Sequence, residues 1–226
     1  MESWNINDTE TESFLHTISD TGTNITGMTL TNVHNDNSLT VAYQNYVIHS
    51  EGPLSIRSSD FRYMYGFYYV IQGTTELYVE YLGLISLDSI KMFIYMDRAS
   101  SVWLEELHML DVSFEYGTML VQPRRNATLV LRSCSTRIIY SPYFLTYISS
   151  EPVSAEISHC TFSNLSRKGF FKLGGAHGSI VVTDCLFNSS SYDVFYESSV
   201  IDIGGSNMDV TVSNCNISDI PSMCNY

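Results

Sequence analysis

Eight short stretches of the chain superimpose on one pattern of apolar and polar positions: TNITGMTL, LSIRSSDF, LYVEYLGL, VWLEELHM, LVLRSCST, AEISHCTF, IVVTDCLF and VTVSNCNI. Their third residues, Ile25, Ile56, Val79, Leu104, Leu131, Ile157, Val182 and Val212, recur at intervals of 31, 23, 25, 27, 26, 25 and 30 residues. The residue two before this anchor is apolar in seven copies (Leu54, Leu77, Val102, Leu129, Ala155, Ile180, Val210), which places both on one face of a short strand. One apolar strand per copy at such a period is the signature of a solenoid, in which no repeat can bury its own face and each needs its neighbours.

The alternation then changes parity. The next apolar pair falls three and five residues after the anchor, as in Met28/Leu30, Leu82/Leu84, Leu107/Met109, Cys160/Phe162, Cys185/Phe187 and Cys215/Ile217. A bend must lie between the two strands. Its second position is Gly27, Ser58, Ser133, His159, Asp184 or Asn214, mostly types that tolerate left-handed backbone angles. Tyr81 and Glu106 depart from that preference and predict differently shaped corners.

A third strand is read in YYVIQG, MFIYMD, TMLVQP, LTYISS, FFKLGG and VIDIGG. Its apolar residue precedes the next copy by a constant step, seen in Val70 to Leu77, Ile148 to Ala155, Leu173 to Ile180 and Ile203 to Val210. The interval before it varies, and is longest around residues 188–199. Three short strands per turn, one tight bend, one fixed corner and one variable corner predict an all-β fold. It is a right-handed single-stranded parallel β-helix of about seven to eight rungs over 23–220. Residues 1–22 are expected as an N-terminal cap or extension, and 221–226 as a tail that continues elsewhere or lacks its cap. The pairs Gly174-Gly175 and Gly204-Gly205 recur at one corner and read as turn residues.

The repeat resembles the right-handed β-helix superfamily known as pectin-lyase-like. The segments ISHCTFSN and VTDCLFNSS are similar to the Ser/Asn-Cys-x-Phe-x-Asn repeats of polymorphic outer-membrane and protist surface proteins. The resemblance implies a β-helical architecture. It leaves function open among adhesins, structural rods and enzymes that cleave polysaccharides, because such scaffolds host all of them.

Charge and composition narrow the partners. The 226 residues carry 11 Lys and Arg against 24 Asp and Glu, a net charge of −13. No basic cluster offers a footprint for a phosphate backbone, so nucleic acid is not an expected ligand. No apolar run reaches the ~20 residues of a membrane-spanning helix. The opening MESWNINDTETESF lacks the basic start and apolar core of a signal peptide. Sequons at Asn7, Asn24, Asn126, Asn164, Asn188 and Asn216 nevertheless point to an extracellular or cell-surface location.

Four of the five cysteines, Cys134, Cys160, Cys185 and Cys215, share the position three after the anchor. They are expected to stack as free thiols inside the helix. Strands about 4.8 Å apart hold the Cβ atoms too far apart for a relaxed disulfide, which prefers about 3.8 Å. Met28, Ser59, Leu82 and Leu107 fill the same column earlier, so it reads as a packing slot. Cys224 lies outside the pattern.

Candidate chemistry is sparse. Asp184, Asp202 and Asp209 with His177 are the carboxylates and base that an acidic-groove enzyme would need to bring together. Against this, Lys172 and Asp202 occupy equivalent positions in adjacent rungs and predict a surface ion pair. Asp184 is explained by its bend. The Ala176-His177-Gly178 step is similar to a motif of polygalacturonase-like enzymes, whose accompanying Asn-Thr-Asp, Asp-Asp and Arg-Ile-Lys motifs this chain lacks. His16, His34, His49, His108, His159 and His177 show no metal-ligand spacing, so neither a metal site nor a cofactor is expected.

Aromatic residues outside the core columns give the one positive hint. Tyr78 and Trp103 take the same outward position in neighbouring rungs, with Tyr95 on a third strand nearby, a face suited to sugar rings or a partner protein unless a loop from 1–22 or 31–53 covers it. The expected function is a non-catalytic structural or adhesive module that self-associates or joins a larger assembly, with carbohydrate as a candidate ligand. The alternatives are a polysaccharide lyase or glycoside hydrolase and a cytoplasmic interaction scaffold.

Overall fold

The computed structural model describes residues 4–10, 13–35, 45–73, 75–141, 144–148, 152–163, 171–175, 177–188, 201–205 and 207–218. All regular structure among them is β, and every named strand pairing is parallel. The strands wind a parallel β-solenoid of about six turns, close to the seven to eight rungs expected. The anchors stack in register through Ile25, Ile56, Val79 and Leu104, and through Leu131, Ile157, Val182 and Val212. The third strands form their own ladder, for example Leu15, Ile48, Ile71 and Ile94.

The ladder reaches back to Trp4. Trp4–Glu10 lies on Met28–His34, and Ser13–Thr17 on Tyr46–Ser50, so these N-terminal residues extend the solenoid by their own strands. In mid-chain, Ile90–Arg132 is extended almost throughout yet serves successive rungs. It turns at Arg98, Glu106, Asp111, Gly117 and Asn126, all with positive φ.

The tight bend is uniform. Its second residue is left-handed in all eight copies: Gly27 (φ 69°), Ser58 (48°), Tyr81 (57°), Glu106 (53°), Ser133 (53°), His159 (55°), Asp184 (54°) and Asn214 (54°). The expectation of different corners at Tyr81 and Glu106 is therefore corrected. The corner is held from rung to rung: the amides of Gly27, Ser133, His159 and Asp184 donate to the carbonyls of Arg57, Ser158, Thr183 and Ser213 at 3.0–3.1 Å. A backbone ladder that fixes the angle overrides side-chain preference, since a non-glycine residue there costs only about 1–2 kcal/mol.

A second left-handed corner, unread in the sequence, falls at Asn32, Tyr63, Ser86 and Asp111. It places Val33, Met64, Leu87 and Val112 in the core. The register shifts at Arg137/Ile138, where Ile138 meets Val112 and skips Asp111.

One continuous core runs the length of the solenoid, from Ile25 to Phe187. Its distal half is filled by aromatic rings: Phe162 stacks on Phe187 (5.5 Å, 15°) and meets Phe171 edge-on (5.0 Å, 89°) and Phe144 (4.8 Å). Tyr147 is buried in the same core, its hydroxyl donating to a carbonyl, with Ala127 O at 3.1 Å and Ser154 O at 3.3 Å. Gly174 and Gly175 end the strand Phe171–Gly175, opposite Gly204 and Gly205 of Ile201–Gly205. They are strand residues rather than turn residues, and the reason is close approach: a Cβ on Gly174 would lie 2.1 Å from Gly204 O.

Candidate functional site

The outward column one residue before the anchors runs Asn24, Ser55, Tyr78 and Trp103 in the first four rungs. Tyr78 and Trp103 stand directly opposite each other. Each ring carries a guanidinium: Arg57 lies 5.1 Å from the Tyr78 centroid and Arg132 lies 5.0 Å from that of Trp103. Carboxylates fix both arginines. Arg57 Nε is 3.4 Å from Glu80 Oε2, and Arg132 donates twice to Glu156 at 2.9 and 3.0 Å. The Tyr78 hydroxyl donates to Glu80 Oε2 at 3.3 Å.

Asn24, Ser55, Arg57, Tyr78 and Trp103 line a shallow open groove with Thr21, Gly22, Pro53, Glu76 and Ser101 among its walls. Trp103 Nε1 and Ser55 Oγ are both withdrawn from solvent there without a hydrogen-bond partner. An indole N–H is a donor only, and an unsatisfied buried donor costs about 1–3 kcal/mol.

Tyr95 stands apart from this groove. It belongs to the third-strand ladder, opposite Gln72, and its ring stacks on Tyr69 at 5.0 Å. The fixed corner separates the two sheets, so the expected three-residue face contains Tyr78 and Trp103 only. Much of the sequence expected as a covering loop, including Trp4–Glu10, Ser13–Thr17 and Tyr46–Ser50, is itself ladder; residues 36–44 lie outside the described residues.

The candidate carboxylates are dispersed. Asp184 occupies the tight bend, its Oδ2 3.8 Å from Nδ1 of His159 in the same bend one rung earlier. Asp202 lies opposite Lys172 on the third-strand ladder. Asp209 and His177 line a separate shallow groove with Asn126, Pro152 and Asn207. Of the sequons, Asn7, Asn24, Asn126 and Asn216 are exposed and Asn188 is half-buried. Asn164 lies outside the described residues, as does Cys224.

Cys134, Cys160, Cys185 and Cys215 are free thiols in one column. Each sulfur lies near the carbonyl two residues before it (3.1–3.4 Å) and near the anchor carbonyl of the preceding rung (3.6–3.9 Å). The Cys134 amide in turn donates to Cys160 Sγ at 3.4 Å. Ser59 repeats the arrangement, donating to Arg57 O (2.9 Å) and accepting from the Met28 amide (3.2 Å). The slot is thus hydrogen-bonded as well as packed. Hydrogen bonding of Cys160 to Cys134 and of Cys185 to Cys160, together with burial, pushes the Cys160 and Cys185 thiols far up, which keeps them protonated.

The third-strand ladder also gathers a group that sequence spacing conceals. His16 and His49 are in register on adjacent rungs, and Glu51 follows just beyond the strand Tyr46–Ser50. One ligand atom from each lies within 4.8 Å of the others. Burial lowers the His49 pKa, with His16 adding to the effect and Glu51 and Gln72 opposing it.

Comparison with known protein families, with curated proteins and with solved structures finds no match to this chain. The fold defines its class as a parallel β-solenoid.

Proposed function

We propose that the chain is a structural or adhesive module, a stiff β-helical rod of a cell-surface or extracellular assembly that stacks end to end with further copies of itself. The observation that carries this reading is the last rung. Val210, Val212 and Ile217 are 41%, 48% and 52% exposed, whereas the residues beneath them in register, Ile180, Val182 and Phe187, are each 0% exposed. Among the described residues, Ile201–Gly205, Met208–Ser213 and Asn216–Ser218 each pair with one neighbouring strand, as do Trp4–Glu10 and Ser13–Thr17 at the other end. Two open edges of one parallel ladder are complementary, and a head-to-tail contact of this kind does not close on itself. The exposed sequons at Asn7, Asn24, Asn126 and Asn216 favour the extracellular placement, and the pectin-lyase-like resemblance fits a surface rod. Negative-stain electron microscopy with light scattering tests the reading: rods much longer than the ~30 Å of about six turns at about 4.8 Å each support it, and uniform single rods refute self-stacking.

The adhesive part of the reading rests on the Tyr78–Trp103 groove, with carbohydrate as its ligand. Two aromatic side chains in register on adjacent rungs, each with a guanidinium beside its ring, suit the mixed apolar and hydroxyl faces of a sugar. A glycan array followed by calorimetry tests it. Loss of binding in both Tyr78→Ala and Trp103→Ala supports the groove, and unchanged binding removes it.

A further inference from the structure

We propose that His16, His49 and Glu51 form a binding site for a divalent transition-metal ion of the zinc class. The site is built by the ladder. Ser13–Thr17 stacks on Tyr46–Ser50 so that His16 and His49 point from the same position of adjacent rungs, their ring centroids 4.6 Å apart. Thr17 O then accepts the Glu51 amide at 3.0 Å. That bond anchors the chain beside His16 where it leaves the strand, and the Glu51 carboxylate comes back over the imidazoles.

The distances fit the ion. His16 Nε2 and Glu51 Oε1 are 3.4 Å apart, long for a hydrogen bond, which is about 2.7–3.2 Å. It matches the edge of a tetrahedron with metal bonds of about 2.0–2.1 Å, which is about 3.3–3.4 Å. All three ligand atoms fall within 4.8 Å of one another, so small side-chain rotations close the set. Two imidazoles and one carboxylate are a donor set for zinc and its neighbours, whereas calcium and magnesium take oxygen ligands.

An outer shell is also in place. His49 Nδ1 and Gln72 Oε1 are both buried and neither makes a well-aligned hydrogen bond, while their residues are adjacent in register and close enough for Gln72 to act on the imidazole. A ligating histidine donates its second N–H to a carbonyl, which orients the ring and fixes the tautomer. Rotation of Gln72 to accept from Nδ1 leaves Nε2 of His49 free to bind the ion. The Tyr46 ring stands edge-on to both imidazoles, 6.0 Å from His16 and 4.9 Å from His49, and walls one side. The net charge of −13 favours cations generally.

The test is a zinc chloride titration of metal-stripped full chain against a chromophoric chelator, with cobalt substitution as the spectroscopic readout. We expect one equivalent bound, a cobalt spectrum of nitrogen and oxygen ligands without a thiolate charge-transfer band, and no competition from calcium or magnesium. His16→Ala and Glu51→Gln alter exposed side chains and should keep the fold, which circular dichroism checks. Each should weaken zinc by more than the roughly 10–100-fold that loss of an outer-shell partner costs, and Gln72→Ala should fall within that range. No stoichiometric binding in the wild type, binding undiminished in His16→Ala, or a thiolate band pointing to the cysteines would overturn the assignment.

Discussion

Tyr81 and Asp184 hold the same left-handed backbone angle, φ 57° and 54°, at the same bend of two rungs. Aspartate is suited to that angle and tyrosine is not. The bend is therefore imposed by the ladder, and residues such as Tyr81 and Glu106 carry its cost. Glu106 is exposed, so Glu106→Asn removes strain with little loss of packing and should stabilise the fold by several tenths to about 1 kcal/mol. Glu106→Pro, with φ locked near −65°, should destabilise it strongly. Denaturant midpoints of the two variants check the sign of each effect.

The cysteine column yields a prediction against hydrophobic intuition. Cys160 Sγ accepts the Cys134 amide, as Ser59 Oγ accepts that of Met28. Cys160→Ser preserves this acceptor, whereas Cys160→Val leaves the amide buried and unpaired at about 1–3 kcal/mol. The serine variant should be the more stable of the two in thermal unfolding, despite valine's greater hydrophobicity.

The same thiols should be chemically silent. Cys134, Cys160 and Cys185 are buried, and neighbouring thiols and burial raise the pKa of Cys160 and Cys185. The thiolate is the reactive form. Folded protein at mildly alkaline pH should therefore leave these three unlabelled by an alkylating reagent, and unfolded protein should label them fully. Rapid labelling of Cys160 in the folded state would show that the column is not packed as described.

Gly174 and Gly204 are equivalent positions in adjacent rungs with opposite surroundings. A Cβ on Gly174 would meet Gly204 O at 2.1 Å, while one on Gly204 meets nothing within 4 Å. Gly174→Ala should cost about 1–3 kcal/mol, read from chemical denaturation. Gly204→Ala should leave the single rod as stable as the wild type.

Much of this architecture is legible in the residues because a solenoid repeats its reasons. Apolar anchors such as Ile56 and Val182 recur with a parity break after them, and that pattern alone specifies strand, bend and strand. The corner at Asn32, Tyr63, Ser86 and Asp111 escapes notice because two of its four residues carry no left-handed preference and the next rung, at Ile138, omits it. The site is less legible for a related reason. His16 and His49 meet only because they occupy one register position of adjacent rungs, a spacing set by loop length rather than by metal-ligand geometry. Tyr78 and Trp103 are readable as neighbours from the same register, but the guanidiniums over them arrive from other positions, Arg57 two residues after Ser55 and Arg132 from a later rung.

The central claim, that the open rung accepts another copy, is tested most directly by sedimentation velocity on wild type and Gly204→Ala over a range of concentrations. Stacking places a new strand over Gly204, as Gly204 itself lies over Gly174. Concentration-dependent growth of the wild type, abolished by Gly204→Ala without loss of stability, is the predicted result. A wild type that stays monomeric at every concentration would contradict the account.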